Sequence, residues 1–67
     1  MLVSKVREAR LSAGLTQEEL SRRCNVSRQT IISVERGAHA PTLTLAFVLA
    51  RELDQAVDTL FELRGAP

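Results

Sequence analysis

An all-α fold is what this sequence predicts, and three observations predict it. Apolar residues recur at helical spacing. Three hydroxyl residues, Thr16, Ser27 and Thr42, stand immediately before such stretches, where a side-chain oxygen can cap a helix. No run alternates apolar and polar residues long enough to read as a strand. The chain has 67 residues, 45% of them apolar and 25% charged, a balance that excludes a disordered polymer and predicts one small domain over 1–67.

The elements follow in order. Leu2, Val6, Ala9 and Ala13 form one stripe, and Gly14 is the residue that most readily ends a helix, so a first helix is expected over about 2–13. Thr16-Gln17-Glu18-Glu19 has the capping-box pattern and opens a second helix over 17–24, with Leu20 and Cys24 apolar. Asn25 tolerates positive φ, and Ser27 caps a third helix that turns Thr30, Ile31 and Val34 inward and stops at Gly37. Pro41 biases Ala40 away from helix, and Thr42 caps a fourth helix through Leu53. Its expected inward stripe is Leu43, Ala46, Phe47, Ala50 and Leu53. After a break at Asp54-Gln55, a last helical segment over 56–62 carries Val57, Leu60 and Phe61, and 64–67 is expected to fray.

Several function classes fall on composition. The longest apolar run, Leu45 to Ala50, is far short of the roughly 18 residues of a membrane span, and no cleavable leader pattern is present, so a cytoplasmic protein is expected. Cys24 is the one cysteine and His39 the one histidine, which excludes an intrachain disulfide and a Cys/His zinc site. Cys24, on an apolar position, is expected in the core. Without a phosphate loop or nucleophile set, and with a core too small for a substrate pocket, neither an enzyme nor a cofactor is expected.

Net charge is only +1, but it is unevenly placed. Residues 1–37 hold seven bases against four acids, and residues 38–67 hold two against four. The first half can face a polyanion, although two solvated surfaces of different sign would look the same.

Residues 17–36 read as two helices joined by a tight turn, with small Ser21 where the third helix would approach the second most closely. Around them stand Gly14-Leu15-Thr16-Gln17-Glu18-Glu19-Leu20, Val26-Ser27-Arg28-Gln29-Thr30-Ile31, Glu35-Arg36-Gly37, Pro41-Thr42-Leu43 and Leu60-Phe61. In these blocks and their spacing the chain resembles the XRE (Cro/CI-type) helix-turn-helix regulators from about Val6 to Phe61. The resemblance implies a compact five-helix bundle, usually dimeric, whose third helix enters the major groove of operator DNA. The sequence departs from the family at Asn25, where glycine is usual, at Ala56, where a capping serine is common, and at Ala38 and Ala40, where polar residues are frequent.

At about 100° per residue from Arg28, Ile32 lies near 40°, Arg36 near 80°, Gln29 near 100° and Ser33 near 140°, opposite the apolar face. Arg pairs bidentately with guanine and Gln with adenine, and Ile32 suits a thymine methyl. Joined to the resemblance, this face gives Ser27, Arg28, Gln29, Ile32 and Ser33 as base-contacting residues. Gln17, Arg22, Arg23, Thr30, Arg36 and His39 are the candidates for phosphate, Gln17 and the Arg10–Glu35 ion pair being carried over from the family. The fourth helix is apolar nearly all round, which normally means burial all round. Leu45, Val48, Leu49, Leu60 and Phe61 are therefore expected at a homodimer interface. The function expected is a transcriptional regulator, a repressor of a palindromic double-stranded DNA operator. The alternative is an antitoxin or other regulatory protein that binds a protein partner as well as DNA.

Overall fold

The computed structural model describes residues 1–65. Five helices run through it: α1 (Val6–Ser12), α2 (Gln17–Cys24), α3 (Arg28–Arg36), α4 (Leu43–Leu53) and α5 (Val57–Leu60). Two short strands, β1 (Leu2–Ser4) and β2 (Phe61–Leu63), pair antiparallel with Leu2 opposite Leu63, Val3 opposite Glu62 and Ser4 opposite Phe61.

The strands correct the expected ends of the first and last helices. A stripe through Leu2 and Val6 fits a strand followed by a helix as well as a longer helix. What decides is long-range pairing, which satisfies the backbone groups of residues 2–4 with those of 61–63. Lys5 then breaks the strand, donating its N–H to the Leu60 carbonyl at 2.7 Å while its own carbonyl accepts from Ala9 at 3.1 Å. At the first residue of the expected tail, the Arg64 N–H donates to the Met1 carbonyl at 2.8 Å. Residues 66 and 67 of that expected tail lie outside the described residues.

Helix boundaries elsewhere follow local chemistry. The Thr16, Ser27 and Thr42 hydroxyls accept from the backbone three residues on, at Glu19, Thr30 and Leu45. At the C-terminal ends, Asn25 (φ 56°), Gly37 (φ 69°) and Asp54 (φ 53°) are left-handed, the conformation that stops a helix and caps its carbonyls. Ala56, with no side-chain cap to offer, starts a helix of only four residues.

The core is centred on Val6, Leu20, Ile31, Leu49 and Leu60, all fully buried. The inward stripe of α4 is Ala46, Leu49, Ala50 and Leu53, turned by roughly 45° from the expected one. Leu43 and Phe47 are instead 73% and 60% exposed. Nearly every face of α4 is apolar, so periodicity leaves its rotation open, and the fit of the helix against α2 and α5 selects it. Leu49 and Leu60, expected between two copies, are thus core residues, while Leu45, Val48 and Phe61 are half-buried against that core.

Urea denaturation tests the rotation of α4. Leu49→Ala is expected to cost about 2–5 kcal/mol, as for a buried leucine. Leu43→Ser is expected to stay within about 0.5 kcal/mol of wild type, as for a surface position.

Candidate nucleic-acid interface

The helix pair α2–α3 is built from its caps inward. The Thr16 hydroxyl accepts the Glu19 N–H and the Glu19 carboxylate accepts the Thr16 N–H, both at 3.0 Å. The hydrogen bond from the Thr16 amide, assisted by the Thr16 side chain, holds the Glu19 carboxyl below its ordinary value. At the other end of α2, left-handed Asn25 reverses the chain so that the Val26 N–H reaches the Ser21 carbonyl at 3.0 Å. Ser21 is buried where the two helices meet, and its hydroxyl donates back to the Glu18 carbonyl at 2.7 Å. A small side chain that satisfies its own hydroxyl lets α3 come close.

Ser27 starts α3. Its hydroxyl accepts the Thr30 N–H at 3.1 Å and lies 2.9 Å from the Thr30 hydroxyl, so both side chains are engaged in the cap. The next two residues, Arg28 and Gln29, are exposed, as is Arg36, whereas Ile32 and Ser33 are half-buried. Ile31 and Val34 fill the core side.

What orients α3 is a buried ion pair. The Arg10 guanidinium donates to both carboxylate oxygens of Glu35, from Nε at 2.6 Å and from Nη2 at 3.2 Å, and from Nη1 to the Leu15 carbonyl at 2.9 Å. The Gln17 amide adds a bond to Glu35 Oε1 at 3.2 Å. With side chains 9% and 4% exposed, Arg10 and Glu35 join α1, the α1–α2 turn, the start of α2 and the end of α3 in one network.

Two hollows flank α3. One is lined by Arg7, Arg10, Gln17, Ile32, Glu35 and Arg36. The other brings the loop residues His39 to Thr42 beside Gln29, Thr30 and Ser33. A third hollow sets Arg28 across from Thr16, Gln17 and Glu18 at the start of α2. The structure therefore gathers Gln17, Arg28, Gln29, Ile32, Ser33, Arg36 and His39 around one helix. Arg22 and Arg23 line none of these hollows, and Arg22 lies 3.5 Å from Glu18 on its own helix. Arg7 is the residue the sequence reading missed. Its spacing of three from Arg10 puts it on the same side of α1, a signal that is legible only once Arg10 is known to face α3. Cys24 is buried, and burial pushes its thiol up, away from the reactive thiolate.

The Helix-turn-helix family matches residues 6–60. An uncharacterized HTH-type transcriptional regulator of Archaeoglobus fulgidus is 40% identical over 58 residues, covering 87% of this chain and 83% of the relative. One from Methanothermobacter thermautotrophicus is 54% identical over 48 residues, covering 72% and 70%. Among solved structures, the restriction-modification controller protein C.AhdI from Aeromonas hydrophila is similar at a TM-score of 0.72 and 35% identity, over 78% of this chain and 79% of that one.

Two stability measurements test this architecture. Glu35→Ala leaves Arg10 buried without its partner and is expected to cost about 3–5 kcal/mol, whereas Arg10→Met with Glu35→Leu together cost far less. The Glu19 cap stabilises the fold above the ordinary carboxylate value and loses that contribution as pH falls through its lowered folded value. The gap in melting temperature between wild type and Glu19→Ala is therefore expected to be full at neutral pH and to close in acid.

Proposed function

Because this chain belongs to the XRE-type helix-turn-helix family of DNA-binding transcriptional regulators, which are not enzymes, we propose that it is a repressor reading a pseudo-palindromic operator through α3. The observation that carries the reading is the first turn of α3, where Arg28 and Gln29 stand open on a helix whose cap and ion pair fix its direction. Residues at the start of a recognition helix are those that meet base edges, and Arg and Gln are the side chains suited to bidentate readout of guanine and adenine. In this reading Ile32 packs on a thymine methyl and Ser33 lies deeper along the groove. Ser27 comes to the DNA through its position beside Arg28, its hydroxyl already serving the cap.

Around the reading head, Arg7, Arg36 and His39 meet phosphates on the two flanks. Gln17, at the first turn of α2 where the helix dipole favours an anion, turns its second amide hydrogen to another phosphate. Such contacts hold register and carry the salt dependence without reading sequence. Arg22, Arg23 and Thr30 are peripheral members of this set. The chain acts as one DNA-binding module, and two copies related by a two-fold axis place two α3 helices about 34 Å apart for successive major grooves. Repression then follows from occupying the operator. Likeness to a restriction-modification controller protein supports a regulatory role for this module. A second reading, a regulator that also binds a partner protein, is favoured by Leu43 and Phe47, which stand open on α4.

Selection of binding sites from random DNA tests the assignment. Arg28→Ala is expected to weaken binding by about 1–3 kcal/mol and to relax preference at one base pair of each half-site. Arg36→Ala is expected to weaken all sequences alike and to lower the salt slope by about one. An unchanged site preference for Arg28→Ala refutes the readout. For Ile32, replacing the contacted thymine by uracil is expected to weaken wild type but not Ile32→Ser, and equal losses in both count against the methyl contact.

A further inference from the structure

The two-stranded sheet has one covered edge and one open edge. Its pairing fixes which way each peptide faces. The Lys5 N–H reaches the Leu60 carbonyl, and Met1 and Arg64 exchange backbone bonds. Residues 1, 3 and 5 therefore bond toward 60, 62 and 64, and the peptide groups of Leu2, Ser4, Phe61 and Leu63 point outward. On the β1 side the end of α3 closes in, and a methyl placed on Gly37 would lie 3.5 Å from the Leu2 carbonyl. On the β2 side the Phe61 N–H is taken by the Val57 carbonyl, but the N–H and C=O of Leu63 have no partner among the described residues.

The side chains of β2 make this edge self-complementary. Phe61 and Leu63 share one face. Phe61 packs against the core, whereas Leu63 is 82% exposed. Glu62 and Arg64 share the other face and carry opposite charges two residues apart. When two copies of β2 run antiparallel about an axis through Leu63, Glu62 of each copy falls opposite Arg64 of the other, twice. The two Leu63 residues become a hydrogen-bonded pair that uses the free N–H and C=O. The 62–64 pairs fall at the non-hydrogen-bonded sites, where strands come closest and cross-strand charge pairs act best. An axis at Glu62 or at Arg64 would set like charges opposite each other and would need peptide groups already bonded to β1.

We propose that the open edge of β2 is the docking site for a second copy of this chain, fusing two sheets into one of four strands in the order β1-β2-β2-β1. The inference rests on the homodimer reading above and names the surface that makes it. Within one copy the Glu62 carboxylate already has Arg64 at 3.1 Å and Lys5 at 3.7 Å. The exposed pairs hold the strand's charges in place at little net gain to the monomer.

Sedimentation equilibrium of the full chain tests it, with circular dichroism melts as the check on folding. Glu62→Arg makes a strand with two positive charges and Arg64→Glu one with two negative charges. Each alone is expected to raise the dimer dissociation constant by about tenfold or more, and an equimolar mixture is expected to regain the dimer. A synthetic chain carrying N-methyl-leucine at position 63 loses the outward N–H, and it is expected to be monomeric while keeping the helical circular dichroism spectrum of the folded wild type. If these chains all dimerise as tightly as wild type, the β2 edge is not the interface. If Phe47→Lys on α4 then dissociates the dimer, the homodimer reading survives and this surface does not. A wild type that is monomeric both free and on operator DNA rejects both.

Discussion

The Arg10–Glu35 pair is the constraint on which the rest of the molecule depends. Four separate pieces of chain end on it: α1 through Arg10, α3 through Glu35, the turn before α2 through the Leu15 carbonyl, and α2 through Gln17. A buried ion pair is weak as a source of net stability, because desolvation consumes much of the attraction. Its value lies in direction. A guanidinium fork on a carboxylate accepts one planar arrangement, so α3 leaves the bundle at a set angle with its first turn free. An apolar contact of equal area would hold α3 against the core without choosing that angle.

Around this pair the fold is economical. Among the described residues fewer than a dozen apolar side chains are buried, and no disulfide assists them, Cys24 being a free thiol inside the core. Domains of this size bury only about 60% of their unfolded surface. Here the sheet of β1 and β2 joins the two ends of the described chain, each strand supplying backbone partners to the other. The same clasp leaves the outer edge of β2 open, and the proposed dimer rests on that edge.

In the proposed reading, the division between α2 and α3 separates recognition from folding. Of the residues that set the crossing, Ser21 is buried, Val26 packs against the core and left-handed Asn25 turns the chain between the two helices. Residues that would read DNA contribute little to that crossing. In the proposed reading, substituting Arg28 or Gln29 changes specificity while the fold stays intact.

Much of this was legible in the sequence because the signals are local. A hydroxyl before an apolar run, a glutamate three residues after Thr16, and Asn25, Gly14 and Gly37 at left-handed positions act over one turn of backbone, so α2, α3 and their junction fall where the residues place them. The polar face of α3 is equally local, since 3.6 residues per turn fixes Arg28 and Gln29 opposite Val34. Three features were decided only by tertiary structure. The strands of three residues are too short for any alternating pattern, and pairing between the chain ends creates them. The rotation of α4 is open in sequence because its faces are nearly all apolar, and packing buries Leu49 while leaving Phe47 out. The place of Arg7 beside Ile32 and Arg36 follows from how α1 lies against α3. Local backbone chemistry and helical period are written in neighbouring residues, whereas strand pairing, helix rotation and the company a side chain keeps depend on residues far away along the chain.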